Sequence, residues 1–168
     1  MRIGLSLLMK VNDCYGGLRK ENEVSMKIQQ LSLFLENKPG HLNAICRTLS
    51  DAGINIVTLS LADTQQFGIV RLIVEDWRRA KAVLEAAGYV VNVREVVAVT
   101  VADRPGGMTE LLDVIGAAGV NIEYMYAFTS HHGQEAVLIF RLDDPDRAIE
   151  ALNAAGRSVV DAVALFGN

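Results

Sequence analysis

Two periods alternate along residues 27–163. Leu31, Leu33 and Leu35 alternate with Ser32 and Phe34, the two-residue period of a strand. Asn37-Lys38-Pro39-Gly40 breaks that run. Leu42, Ile45, Cys46 and Leu49 then fall at i, i+3, i+4 and i+7, one face of a helix. Cys46 on this stripe reads as a small core hydrophobe. Gly53 ends the helix in the manner of a left-handed C-terminal residue. Ile56 to Ala62 reads as a second strand, Asp63 to Gln66 as a turn, and Ile69 to Val74 as a third strand. Ala80, Val83, Leu84 and Ala87 line a second helix stopped by Gly88, and Tyr89 to Val93 gives a fourth strand.

The same order then recurs. Pro39-Gly40 returns as Pro105-Gly106, and Gly53-Ile54-Asn55-Ile56 as Gly119-Val120-Asn121-Ile122, each 66 residues on. Leu31, Leu33 and Leu35 correspond to Val97, Val99 and Val101. Ala87-Gly88 pairs with Ala155-Gly156 at an offset of 68, so a two-residue insertion is placed near Leu142-Asp143-Asp144. Asp143-Asp144 reads as a helix-start signal, and Pro145 opens the helix at a favoured first-turn position. The chain thus divides into copies at 27–93 and 94–163, with an N-terminal extension over 1–26 and a tail over 164–168. No long linker separates the copies, because Val91 to Val101 is nearly continuous strand-like sequence. The extension is either the product of a start upstream of Met26 or a terminus that is poorly ordered or packed on the body.

Each copy reads β-α-β-β-α-β, which right-handed crossovers turn into a ferredoxin-like unit. The expected class is α+β, with two antiparallel four-stranded sheets carrying helices on one face. The other face and the second-strand edge are expected to stay open. Copies of about 66 residues are marginal alone. They are expected to pack together, and the chain to form a homodimer.

Composition narrows the function. The chain has 168 residues, 51% hydrophobic and 21% charged, as in a globular protein. A net charge of -4 and the near absence of aromatics on the central strands argue against nucleic acid. No run of about 18 apolar residues is present to span a membrane. Two cysteines, Cys14 and Cys46, give no disulfide framework or zinc pattern, which fits a reducing cytoplasm. No catalytic constellation and no cofactor motif is recognisable, so the chain is not read as an enzyme. His131-His132 reads as a solvated hairpin turn rather than a metal site.

The segments ENKPGHL…AGINI and ADRPGGM…AGVNI resemble the ACT domain, a small regulatory module that binds amino acids. The resemblance covers nearly all of 27–163, twice. It implies units that pair side by side, with a ligand shared between the loop of one unit and the strand-start asparagine of its neighbour. The residues themselves support such chemistry. The turn at 37–42 runs straight into a helix, whose first amides lack partners and carry the positive end of the dipole. That end accepts a carboxylate. Gly40 and Gly106 permit close approach of a ligand. Asn55 and Asn121 offer side-chain carbonyls to an ammonium group. Asn37 and Asp103 offer similar acceptors, or serve as helix caps. All these elements are expected at one corner of each unit.

The candidate ligand residues are therefore Asn37, Pro39, Gly40, His41, Leu42, Asn55 and Ile56, with Asp103, Pro105, Gly106, Gly107, Met108, Asn121 and Ile122 in the second copy. Apolar Leu35 and Val101 at the strand ends favour an apolar or aromatic amino acid over a serine-like one. Tyr124, Tyr126 and Phe128 stand where the first copy has Thr58, Ser60 and Ala62, a row read as core or interface more readily than as pocket lining. The expected function is a sensor of a free amino acid that regulates an enzyme of amino-acid metabolism. A ligand-free assembly or protein-interaction module is the alternative.

Overall fold

A computed structural model describes residues 25–63, 66–129 and 135–167. The readings made for residues 1–24, for Thr64-Gln65 and for His131-His132 fall outside them. The element order is β1 (Lys27–Glu36), α1 (His41–Asp51), β2 (Thr58–Asp63), β3 (Phe67–Ile73), α2 (Trp77–Ala86) and β4 (Val91–Ala102). There follow α3 (Gly107–Ala117), β5 (Ile122–Thr129), β6 (Glu135–Leu142), α4 (Pro145–Ala154), β7 (Val159–Val160) and α5 (Ala162–Phe166). Each copy is βαββαβ, and every strand pairing is antiparallel.

The two sheets are one. Its strand order is β2-β3-β1-β4-β6-β5, with β7 also paired to β4. Strand β4 joins the copies. Val91 to Val97 pairs with Leu33 to Lys27 and closes the edge of the first unit. Val97 to Ala102 pairs with Phe140 to Glu135 and is a central strand of the second. Alternation along β4 sets the layers. Val91 and Val93 pack with Ile45, Leu49, Ala80 and Leu84 of α1 and α2. Val97, Val99 and Val101 pack with Leu111, Ile115, Ala148 and Leu152 of α3 and α4. All are odd positions, so the four helices share one face of the sheet. Even positions Val96 and Ala98 enter a third cluster on the other face, with Ile28, Ile73, Val137, Ile139 and Leu165. Cys46, expected in the core, is only partly buried.

The helix-free face does not stay open, which corrects the expectation. The sheet curls around it until the two ends of the strand order meet. Thr58 Oγ1 on β2 lies 3.4 Å from the Tyr126 hydroxyl on β5. Tyr126 donates to Gln30 Oε1 at 3.0 Å, and Gln30 Nε2 donates to the Tyr124 hydroxyl at 2.7 Å. Gln30 is fully buried, yet these bonds satisfy its amide. The aromatics of the second copy therefore fill the space opposite the small residues of the first. Helix α5 covers the face further, with Leu165 and Phe166 packed in the third cluster. Asp161 caps it by accepting from the Ala164 amide at 2.7 Å. Residues 162–166, split on the sequence between the second copy and a tail, thus form one packed element.

Register also moves the insertion. Leu31 faces Leu72, whereas its equivalent Val97 faces Phe140, so the offset is already 68 at β6. Asp63 pairs with Gly68, but Thr129 pairs with Ala136. The two extra residues lie between Thr129 and Ala136 and not near Asp143. Asp144 remains a helix-start residue, accepting from the Arg147 amide at 3.1 Å.

Burial, countered in part by the bond to Thr58, raises the Tyr126 hydroxyl to about 12. The unfolded hydroxyl ionises near 10. The protonated folded form thus contributes fully below pH 10 and loses that contribution as pH rises toward 12, by about 2–3 kcal/mol. Urea unfolding at pH 9 to 12 should show a shallower decline in Tyr126→Phe than in the parent; identical slopes would place the hydroxyl in water.

Candidate functional site

The β1–α1 turn is built as the sequence suggests, with one difference. Gly40, not Asn37, holds the position before α1, at φ +88°, and no side chain caps the helix. Gly106 does the same before α3 at φ +89°. A left-handed residue there suits glycine, which has no Cβ to clash. Asn37 and Asp103 are thus not caps, because the proline and glycine push them too far back along the chain. Asn37 is exposed, and its amide donates to the Gln66 carbonyl at 3.1 Å. The His41 amide bonds Lys38 and the Gly107 amide bonds Arg104, at 3.3 and 3.1 Å. Among the described residues, the amides of Leu42, Asn43, Met108 and Thr109 have no partner. These are the donors that a carboxylate would take.

Asn55 and Asn121 are exposed, each a few residues past its helix. The loop lies at the other end of that helix, about 16 Å away for 11 residues. The candidate residues of one unit therefore do not gather at one corner, contrary to expectation. Nor does the chain join the loop of one unit to the asparagine of the other. Strands β1 and β4 are antiparallel, so the loops after Glu36 and Ala102 project from opposite ends of the sheet. Both asparagines lie nearer the middle, Asn55 before the Thr58–Ile73 pair and Asn121 before the Ile122–Leu142 pair. From Gln30 to Glu36, or from Val96 to Ala102, is about 20 Å of strand. In each unit the loop and the asparagine thus stand apart.

The copies are not equal. At the first loop His41 is half-buried, and Lys38 pairs with Glu36 outside the turn. The lysine holds the Glu36 carboxyl below its usual range. At the second loop Gly107 is buried, and a Cβ built there would stand 2.4 Å from the Ala102 carbonyl oxygen and 3.3 Å from Val101 Cγ2. The start of α3 is pressed onto the strand end in a way α1 is not.

Sequence reasoning missed the charges around the second loop. Arg104 bonds Glu110 at 2.7 Å, and Arg157 reaches the same carboxylate at 3.4 Å. The Arg104 bond is the main cause that lowers the Glu110 carboxyl. Asp143, read with Asp144 as a helix-start signal, has another role, and only Asp144 caps α4. The Asp143 carboxylate accepts from the Asn121 amide at 2.9 Å, and the Asp143 amide donates to the Asn121 carbonyl at 3.2 Å. In the first unit Arg79 instead donates to the Ala52 carbonyl at 2.6 Å. No helical or strand spacing marks these partners, since Arg104 and Glu110 are six residues apart across the turn and the other pairs are 22 or more apart. Leu35 is buried, and Val101 partly so, beneath their loops.

A family model described as an ACT domain pair matches residues 26–165. The chain belongs to the ACT domain pair family. Its fold is similar to that of protein BT0572 from Bacteroides thetaiotaomicron, at 34% identity and a TM-score of 0.80, over 85% of this chain and 98% of that one. The ligand-free regulatory subunit of aspartate kinase from Thermus thermophilus shares the fold at 19% identity and a TM-score of 0.60, over 79% and 95% of the two chains. No curated protein matches in sequence. Among the described residues, no helix of this ACT pair is long and apolar enough to cross a membrane, and no group of ligating side chains could hold a metal.

The inequality of the two ACT loops has a direct test. Gly107→Ala should lower stability by about 1–3 kcal/mol in urea unfolding, because the new methyl meets a backbone oxygen. His41→Ala, at the matching position, should change it by less than about 0.5 kcal/mol. Equal effects would mean that the two helix starts are packed alike.

Proposed function

We propose that this ACT pair is a non-catalytic sensor. It binds a free amino acid with an apolar or aromatic side chain and regulates an enzyme of amino-acid metabolism. The observation that carries the reading is the duplicated helix start, with two free amides behind a left-handed glycine in each copy. Such amides suit a carboxylate, and the side-chain carbonyls of Asn55 and Asn121 suit an ammonium group. The regulatory role named for the aspartate kinase subunit, a structure of the same fold, is in keeping with it.

The proposed site forms between units of two chains. Loop and asparagine lie too far apart within one chain to grip a single zwitterion, so a second copy supplies the missing half. The free amides of Leu42 and Asn43 take the carboxylate, and the Asn37 side-chain carbonyl is a further acceptor for the ammonium. Asn121 or Asn55 of the other copy takes the ammonium, and the backbone at Ile122 or Ile56 follows. In the second loop Asp103, Gly106, Met108 and Thr109 play the corresponding parts. A ligand-free assembly module is the second reading, favoured by Leu59 and Leu61, which are 40% and 44% exposed on edge strand β2.

Thermal unfolding with each of the twenty amino acids tests the first reading. An apolar or aromatic member at about one hundred times its Kd should raise the midpoint by about 5 °C or more. Asn55→Ala and Asn121→Ala, made separately, should each weaken or abolish that response at one class of site. No response to any amino acid would leave the assembly reading. Full binding in both variants would put the site elsewhere.

A further inference from the structure

Register makes the two copies comparable position by position on the curled inner face. Gln30, Ser32 and Arg71 of the first unit are equivalent to Val96, Ala98 and Ile139 of the second. The second set is apolar and wholly buried in the third cluster. The first set is polar. A duplicated structural role calls for the same kind of residue in both copies, and here only one copy keeps it.

Arg71 is the sharpest departure. It is partly buried, and its guanidinium lies 4.0 Å over the ring of Tyr124 from the other unit. Its Nε is buried without a partner. Two other arginines, Arg141 and Arg157, also have a buried Nε without a hydrogen bond, but the Arg141 Nε lies 3.3 Å from a Glu123 carboxylate oxygen and Arg157 Nη1 lies 3.4 Å from Glu110. Among the described residues, no carboxylate meets Arg71, and no hydrogen bond leaves its guanidinium. A half-buried cation ordinarily has a counter-charge or a full set of acceptors. Stacking on Tyr124 fixes the plane of the fork and leaves its edge donors unused.

The surroundings say what would fit. Ser32 and Ser60 pair with Arg71 from the two neighbouring strands, so both hydroxyls share its face. One step further along the same face, Phe34 and Ala62 flank Ile69. Phe34 is 62% exposed there. We infer that Arg71, with Ser32 and Ser60, forms a second ligand site on the helix-free face, beside Tyr124 of the other unit, for a carboxylate carrying an apolar or aromatic group. The planar fork suits a carboxylate bidentately, and the hydroxyls donate to its remaining lone pairs. The Phe34–Ile69 surface receives the apolar group. This site is separate from the helix-start corners and does not depend on the amino-acid reading.

Phenylacetate tests it, because it lacks the ammonium group that the asparagines would hold. Its uncharged counterpart phenylacetamide and inorganic phosphate serve as comparisons. Titration calorimetry should detect phenylacetate binding, and nitrogen NMR should show a shift of the Arg71 Nε–H. Arg71→Met should weaken binding by about ten- to a hundredfold, and Arg71→Lys by less. Asn55→Ala and Asn121→Ala should leave it unchanged. Circular dichroism and the midpoint of ligand-free Arg71→Met establish that it is folded; should it not be, the Nε–H shift in the parent and the loss in Ser32→Ala carry the test. Absence of binding, undiminished binding in folded Arg71→Met, or equal binding of phenylacetamide or phosphate would overturn the assignment.

Discussion

One strand sets the architecture. Over twelve residues β4 is first the edge of one unit and then the centre of the next. Side chains on a strand alternate faces, so a single uninterrupted strand forces the cores of both units onto the same side. Its odd valines face the four helices, and its even residues face the third cluster. A one-residue slip anywhere in β4 would turn one unit inside out relative to the other. The absence of a linker is thus a physical constraint, and it makes the two repeats one folding body.

The same constraint explains the curl. Residues on the helix-free face near β4 are Ile28, Val96, Ala98 and Ile139, all buried. A flat sheet would leave them in water, at about 25 cal/mol for each Å² of apolar surface exposed. Twist and curl bring β2 and β5 together over them, and α5 covers the remainder. Closure needs complementary volumes, which is why Tyr126 in one copy meets Thr58 in the other. The hydroxyls and the Gln30 amide satisfy one another where the chain has sealed polar groups away from water. The duplication is therefore exact in topology and broken in chemistry at its own seam.

Much of this was legible in the sequence. Periodicity and duplication identified every helix and strand except α5, and Gly40, Gly53, Gly106 and Gly119 all adopt the positive φ that their positions imply. The family is plain from two spaced motifs. The curl was not legible, because alternation says which residues share a face but not what covers that face. The aromatic row pointed to an interface, and Tyr124 and Tyr126 do form one, within the chain. The insertion was misplaced because apolar strands on either side of a hairpin align equally well with the extra residues before or after β6; only cross-strand register decides. The loop and asparagine motifs were legible as residues but not as a site, since sequence distance hides that α1 and α3 hold them apart.

That separation bears on how a pair of ACT units could respond to a ligand. The units meet through the backs of their sheets, and their helix layers all face outward. The helix-start amides and the strand-start asparagines consequently point to solvent around the rim of the body, unable to complete one another. In the proposed reading, a bound amino acid would be shared by two chains, and its binding energy would appear directly as association energy. The site inferred at Arg71 couples differently. It lies where the two units touch, with the guanidinium from one stacked on a tyrosine from the other. A carboxylate held there would act on how tightly the halves close, without touching the rim. Two chemically distinct positions, one between chains and one within a chain, would give the same small body two independent inputs; the asymmetry of its repeats is what permits the second.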